Sequence, residues 1–143
     1  MSSWDQTKFS LTPRSRGSYL ITNEILRKVP QIHEYEIGQL HLFLQHSSAG
    51  LTLNENCDPD VREDMTNSLN RIVPEGDFYI HADEGPDDMP GHIKSTLVGT
   101  SLTIPISKGQ LALGTWQGVW FCEFRDYEHT RKIVATINGM KKK

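Results

Sequence analysis

From Ile37 to His46 the chain alternates, with Leu40, Leu42 and Leu44 on one side and Gln39, His41, Phe43 and Gln45 on the other. A period of two belongs to a strand with one buried face, so this segment is read as the first strand. Ahead of it, Thr22 to Lys28 reads as a short helix capped by Thr22 and stopped before Pro30. After it, Asp58-Pro59 is a strong helix start, because Asp caps the first turn and Pro gives up only an N–H that had no partner there. Val61, Met65, Leu69 and Ile72 then recur at helical spacing, which predicts an apolar stripe laid on a sheet and an end near Pro74. A short strand is expected from Asp77 to His81, then a loop to Asp88. A second helix follows, with Asp88 as cap, Ile93 and Leu97 facing inward and Gly99 as its stop. Strands are predicted over Ser101 to Ile106, Gln110 to Trp116, Val119 to Arg125 and Lys132 to Ile137, with a turn at Ser107-Lys108-Gly109. The pattern predicts an α+β fold: a largely antiparallel sheet with two main helices.

With 143 residues and no internal repeat or linker-like tract, the chain reads as one domain over 1–143, with Lys141 to Lys143 a disordered basic tail. At this length about 70% of the unfolded surface can be buried, so no disulfide framework is needed. Cys57 and Cys122 form no C-x-x-C pair and are expected as free thiols, with Cys57 buried. No run approaches the roughly 18 apolar residues of a membrane span, and the N-terminus lacks a leader's plan. The expectation is a soluble, cytoplasmic protein with no membrane partner. A net charge of -3 argues against a nucleic-acid partner, but that total hides a segregation. Glu55 to Asp88 contains eleven Asp/Glu against two Lys/Arg, while the remainder of the chain is basic.

Three of the six histidines stand at element ends, where loops build sites on a rigid scaffold: His46, His81 and His92. His81 and His92 bracket Asp83, Glu84, Asp87 and Asp88. Imidazole with carboxylate suits Zn, Mn or Fe, and carboxylate with water suits Mg. The competing reading is that the histidines make ordinary hydrogen bonds and the carboxylates decorate a helix N-terminus. Glu55 lies in a second polar cluster, Leu53 to Asp58, and is harder to explain as a cap than Asp58 is. In Gly114-Thr115-Trp116-Gln117-Gly118 the indole offers a stacking surface for a planar ligand, against the alternative of a hairpin with a core Trp. Arg125 and Arg131 have the geometry to grip phosphate, although solvated arginines are the commoner case.

The strings His46-Ser47-Ser48-Ala49-Gly50-Leu51-Thr52-Leu53-Asn54-Glu55-Asn56, His81 through Lys94, and Leu113-Gly114-Thr115-Trp116-Gln117-Gly118 with Glu123-Phe124-Arg125 resemble the YjbQ-like family over roughly residues 20 to 138. Members are often named secondary thiamine-phosphate synthases. The resemblance implies an α+β domain that assembles as a homotrimer. The activity it implies joins hydroxymethylpyrimidine diphosphate to thiazole phosphate, releasing pyrophosphate. It implies His46, His81 and His92 as ligands of a divalent metal (Zn, Mn or Mg), and Glu55, Glu84, Asp87 and Asp88 as catalytic carboxylates. Ser47, Lys94, Trp116, Gln117 and Arg125 are the implied contacts to a phosphorylated small molecule. Two other functions stay open from the residues: metal-assisted hydrolysis of a phosphate ester, and a non-enzymatic ligand-binding or oligomeric protein. In the first of these a metal-activated water does the chemistry.

Overall fold

The computed structural model describes residues 1–143 and contains eight strands, three α-helices and one 3-10 turn. The expected α+β class is found, and every strand pair is antiparallel, but the strands form two sheets rather than one. The larger sheet has the order β1 (Ser3–Ser10), β8 (Lys132–Lys141), β3 (Tyr35–Leu44), β5 (Ser101–Ser107), β6 (Gln110–Leu111). The smaller has the order β2 (Gly17–Leu20), β7 (Gln117–Glu123), β4 (Ala49–Glu55).

Leu40, Leu42 and Leu44 do face inward, joined by Ile133, Ala135 and Ile137 of β8 and by Ile104 and Ile106 of β5. Val119 and Phe121 of β7 and Leu51 of β4 meet them across the gap, and α1 (Thr22–Lys28) closes one end with Ile25. On its other face β7 presents Trp120 and Cys122, which pack with Phe124 under Val61, Met65 and Leu69 of α2 (Pro59–Ile72) and Val98 of α3 (Asp88–Val98). The molecule is therefore three layers thick: large sheet, small sheet, helices. β7 is the middle strand of the smaller sheet and is buried on both faces, which explains its unbroken run Val119-Trp120-Phe121-Cys122.

Several local expectations are corrected. β1 and β2 precede the segment read as the first strand; β1 alternates half-buried with exposed side chains and places only Phe9 in the core, so its apolar signal is faint. β4 lies where the pattern predicts no element, between the strand ending at His46 and the helix start at Asp58. Asp77 to His81 forms no strand: Phe78 and Ile80 are exposed and no partner strand pairs with them. α1 has the expected bounds, but Ile21 holds the cap position and Thr22 Oγ1 instead accepts the Val119 N–H at 2.9 Å. α2 starts as expected, with the Asp58 side chain accepting from Asp60 N–H at 2.9 Å. Its last apolar position, Ile72, is exposed. In α3 the cap position falls to Asp87, and Leu97 points outward because the helix turns Asp88, Gly91, Lys94 and Ser95 inward. Gly99 ends that helix at φ 98°, a conformation that favours glycine. The turn expected after β5 is present, with Lys108 and Gly109 both at positive φ. β6 is two residues long and β8 continues to Lys141, so only the last two lysines lie beyond a strand. Both cysteines are free; Cys122 is the buried one and Cys57 is exposed.

Candidate metal centre

Asp88, the first residue of α3, is 2% exposed although it carries a carboxylate. Its position is over-determined. Arg125, just beyond β7, donates from Nη1 to Asp88 Oδ1 at 2.8 Å and from Nε to Asp87 Oδ2 at 2.8 Å. The third guanidinium nitrogen donates to the Glu84 carbonyl at 3.0 Å, and Asp126 N–H donates to Asp87 Oδ2 at 2.9 Å. The loop from Glu84 to Asp88 is thus folded around Arg125, leaving the second oxygen of Asp88 free to face the histidines.

On that oxygen two imidazoles converge. His81 Nε2 is 2.8 Å from Asp88 Oδ2 and His92 Nε2 is 3.2 Å from the same atom. His92 follows Asp88 by four residues, which places both on one face of α3. One potential ligand atom from each of His81, Asp88 and His92 lies within 4.8 Å of the others, and Glu84 Oε2 is a further 3.2 Å from His81 Nε2. Burial works against the Asp88 charge, yet the His81 hydrogen bond and the charges of His92 and Arg125 hold its carboxyl below the ordinary range.

The hydrogen bonding of His92 carries a chemical constraint. Its Nδ1 lies 2.8 Å from the Ser47 carbonyl oxygen, which only accepts, so Nδ1 bears a proton. In the neutral ring Nε2 then has a bare lone pair, aimed at a carboxylate oxygen 3.2 Å away. Two electron-rich atoms keep that separation only with a cation between them: a proton on Nε2 or a metal ion. A histidine whose second nitrogen is held by a backbone carbonyl, with a carboxylate and another imidazole beside it, matches the donor set and outer support of protein-bound zinc. The residues present therefore fit a divalent metal.

Other expected site residues lie elsewhere. His46, expected as a metal ligand, is outside the cluster, because its Nε2 accepts the Lys132 N–H at 2.8 Å. Burial first, and then the Arg131 charge, lower the His46 pKa from its ordinary value. Ser47 is exposed beside His92 and takes part through its carbonyl. Lys94, expected to meet substrate, is 2% exposed and donates to Asn70 Oδ1 at 2.5 Å. Burial pushes its pKa down to about 8. Arg125 is fully engaged with the acidic loop, and Arg131 is buried against Glu123, its Nη2 2.6 Å from Oε2. Glu55, Trp116 and Gln117 gather at the far end of β4, roughly 20 Å from its Ala49 end by strand rise. Glu55 caps its own turn there, accepting the N–H groups of Cys57 and Asp58. Sequence reasoning overlooked Asn70 and Arg16, which meet beside Lys94 through Arg16 Nη1 and Asn70 Oδ1 at 3.3 Å. Neither sits in a motif.

The Lys94 burial gives a pH signature. A lysine with a lowered folded pKa binds fewer protons folded than unfolded between about 8 and its unfolded value near 10.4, so stability rises with pH through that window. Urea midpoints measured from pH 8 to 10 should rise more in the wild type than in Lys94→Met, and equal slopes would contradict this assignment.

A family described as "UPF0047 protein YjbQ-like" matches residues 7–140. The UPF0047 protein YjbQ of Escherichia coli O157:H7 is 51% identical over 136 residues, covering 95% of this chain and 99% of that protein. A crystal structure of a yjbq/upf0047 family protein from Clostridium acetobutylicum aligns with a TM-score of 0.76 at 34% identity, covering 91% and 97% of the two chains. A YbjQ-like protein of unknown function from Sulfolobus solfataricus shares the fold, with a TM-score of 0.80 at 22% identity over 97% and 98%. No helix in the chain is long and apolar enough to cross a membrane.

Proposed function

The chain belongs to the YjbQ-like UPF0047 family, and from that premise we propose that it is a metal-dependent enzyme acting on a phosphorylated small molecule. The named reaction is synthesis of thiamine phosphate from hydroxymethylpyrimidine diphosphate and thiazole phosphate. The supporting observation is the shared oxygen of Asp88 between His81 and His92, with His92 Nδ1 already committed to Ser47.

His81, Asp88 and His92 would hold the metal, with Glu84 the nearest further carboxylate. When bound, a divalent cation supplies charge stabilisation to a departing pyrophosphate. The protein's own part is to keep the ligands in register. Arg125 fixes Asp88 and the loop, and the Ser47 carbonyl fixes the His92 tautomer. Without a cation, the carboxylates around His81 would repel a phosphorylated ligand. The test is direct: metal-replete protein given both precursors should form thiamine phosphate and release pyrophosphate. Product from neither these precursors nor a panel of phosphate esters would reject the enzymatic reading, whereas ester turnover alone would replace the synthase by a hydrolase.

The proposal extends to a homotrimer that covers the outer face of the larger sheet. Trp4, Ile37, Phe43 and Met140 are exposed on the strands of that sheet. The cross-strand rows Trp4-Asn138-Gln39-Pro105 and Gln6-Thr136-His41-Thr103 contain no Asp, Glu, Lys or Arg. The next row, Lys8-Val134-Phe43-Ser101, adds a single charge at the edge strand. A face this poor in charge suits a second copy better than water. Sedimentation should give three times the 16.3 kDa chain mass, and Phe43→Glu should shift it toward monomer. A monomeric wild type would dismiss the assembly.

A further inference from the structure

His46 was expected among the metal ligands and is not there, yet its environment is specific. Its Nε2 accepts a backbone N–H, a group that can only donate. Nε2 therefore carries no proton, and the ring is the neutral tautomer with its proton on Nδ1. The Nε2 contact is the one hydrogen bond the His46 ring makes within the chain, which leaves the Nδ1–H available to a ligand.

Two adjoining hollows meet at His46. One, of about 360 Å3, runs from His46 past Ser47 to His92 and is lined by polar residues and Gly99 without a single carboxylate. The other, of about 490 Å3, continues past Thr100 to Arg131 and also lacks a carboxylate. This contrasts with the acidic loop around His81 on the other side of His92. Ser95 and Thr96 are committed, donating to the carbonyls of Ala49 and His92 at 2.7 and 3.0 Å. That leaves the hydroxyls of Ser47 and Thr100, which line both hollows with His46. The carbonyls at the end of α3, a source of negative potential, are partly occupied: Gly99 O accepts the Leu51 N–H and Thr100 O the Leu44 N–H. Neutral hydroxyl and imidazole donors thus line one side of the cluster, and its carboxylates lie on the other.

We propose that this groove is an anion subsite, in which His46 Nδ1–H, with Ser47 and Thr100, donates to the phosphate oxygens of the substrate while it lies against the metal cluster. The assignment rests on the phosphorylated substrate proposed above, but it separates two roles that the motif histidines were expected to share. His81 and His92 face a cation, and His46 faces the anion.

The two nitrogens of His46 can be tested separately. Glutamine reproduces the acceptor at Nε2 and loses the donor at Nδ1, while asparagine reproduces the Nδ1 donor and loses the Nε2 acceptor. Inorganic phosphate and pyrophosphate binding is measured by calorimetry on full-length protein with and without zinc, alongside thermal melting. His46→Gln should melt near the wild type and bind either anion about 10-fold or more weakly, the size expected for one hydrogen bond to a charged group. His46→Asn should melt lower and keep its anion affinity. The reverse pattern, equal affinity in all three proteins, or no anion binding by the wild type would overturn the subsite. Zinc affinity measured on the same samples keeps the outcomes distinct: loss of zinc binding with retained phosphate binding removes the metal-enzyme reading and leaves the anion site standing.

Discussion

Replacing Glu123 with alanine is expected to cost about 3–5 kcal/mol of stability, the range for removing one partner of a buried ion pair. Glu123 is fully buried and Arg131 is 5% exposed. Its Oε1 accepts Arg131 Nε at 2.7 Å, and its Oε2 accepts Nη2 at 2.6 Å together with the backbone N–H groups of Phe124 and Arg125 at 3.0 and 3.1 Å. Without that carboxylate, a guanidinium and two backbone donors are stranded away from water. Arg131 Nη2 also donates to Ser48 Oγ at 3.0 Å, so the damage should spread to the segment that carries His46 and Ser47. Urea unfolding gives the measurement. A midpoint within experimental error of the wild type would show that the pair is solvated in solution. The double variant Glu123→Ala/Arg131→Met should recover part of the loss, because apolar replacement of both partners removes the stranded charge.

The second large effect concerns metal affinity. His81→Ala/His92→Ala should weaken zinc binding, read by competition with a chromophoric chelator, by more than the roughly 10–100-fold typical of removing a group that only supports a ligand. Asp88→Asn should act in the same direction, since it removes the anionic oxygen both imidazoles approach. The alternative for the 3.2 Å contact is an imidazolium at His92, and it predicts that none of these substitutions changes zinc affinity. Thiamine-phosphate formation, where present, should fall with zinc affinity across the series.

The sequence made legible those elements whose apolar period was strong. β3, α2 and the turn at Lys108-Gly109 came out as read, because alternating leucines, an Asp-Pro start and a glycine turn each have one structural meaning. β1 was hidden because an edge strand with a single buried side chain has hardly any period, and β4 because its polar end looked like a helix entry. The isolated Phe78-Tyr79-Ile80 run misled because β-prone residues form no strand without a partner to pair with. At the site, His81 joins from the loop seven residues before Asp88, but pairing Asp88 with His92 was within reach of spacing along one helix. The separation of His46 was not, since it depends on a backbone N–H 86 residues away in the chain. Lys94 shows the same limit: a charged residue in mid-helix reads as a surface contact until the rotation of the helix is known.

All three candidate ligands lie on α3 or the loop leading into it, in the layer least secured by apolar packing. The buried cluster beneath the helices has three members, against nineteen between the sheets. What fastens this layer is largely polar: Lys94 to Asn70, Ser95 to Ala49, Arg125 to Asp87 and Asp88, and His92 to Ser47. A ligand captured there adds its binding free energy to the cohesion of a thinly anchored layer. Occupancy and rigidity are then two readings of one equilibrium, and the helices of the empty protein should be its most easily opened part.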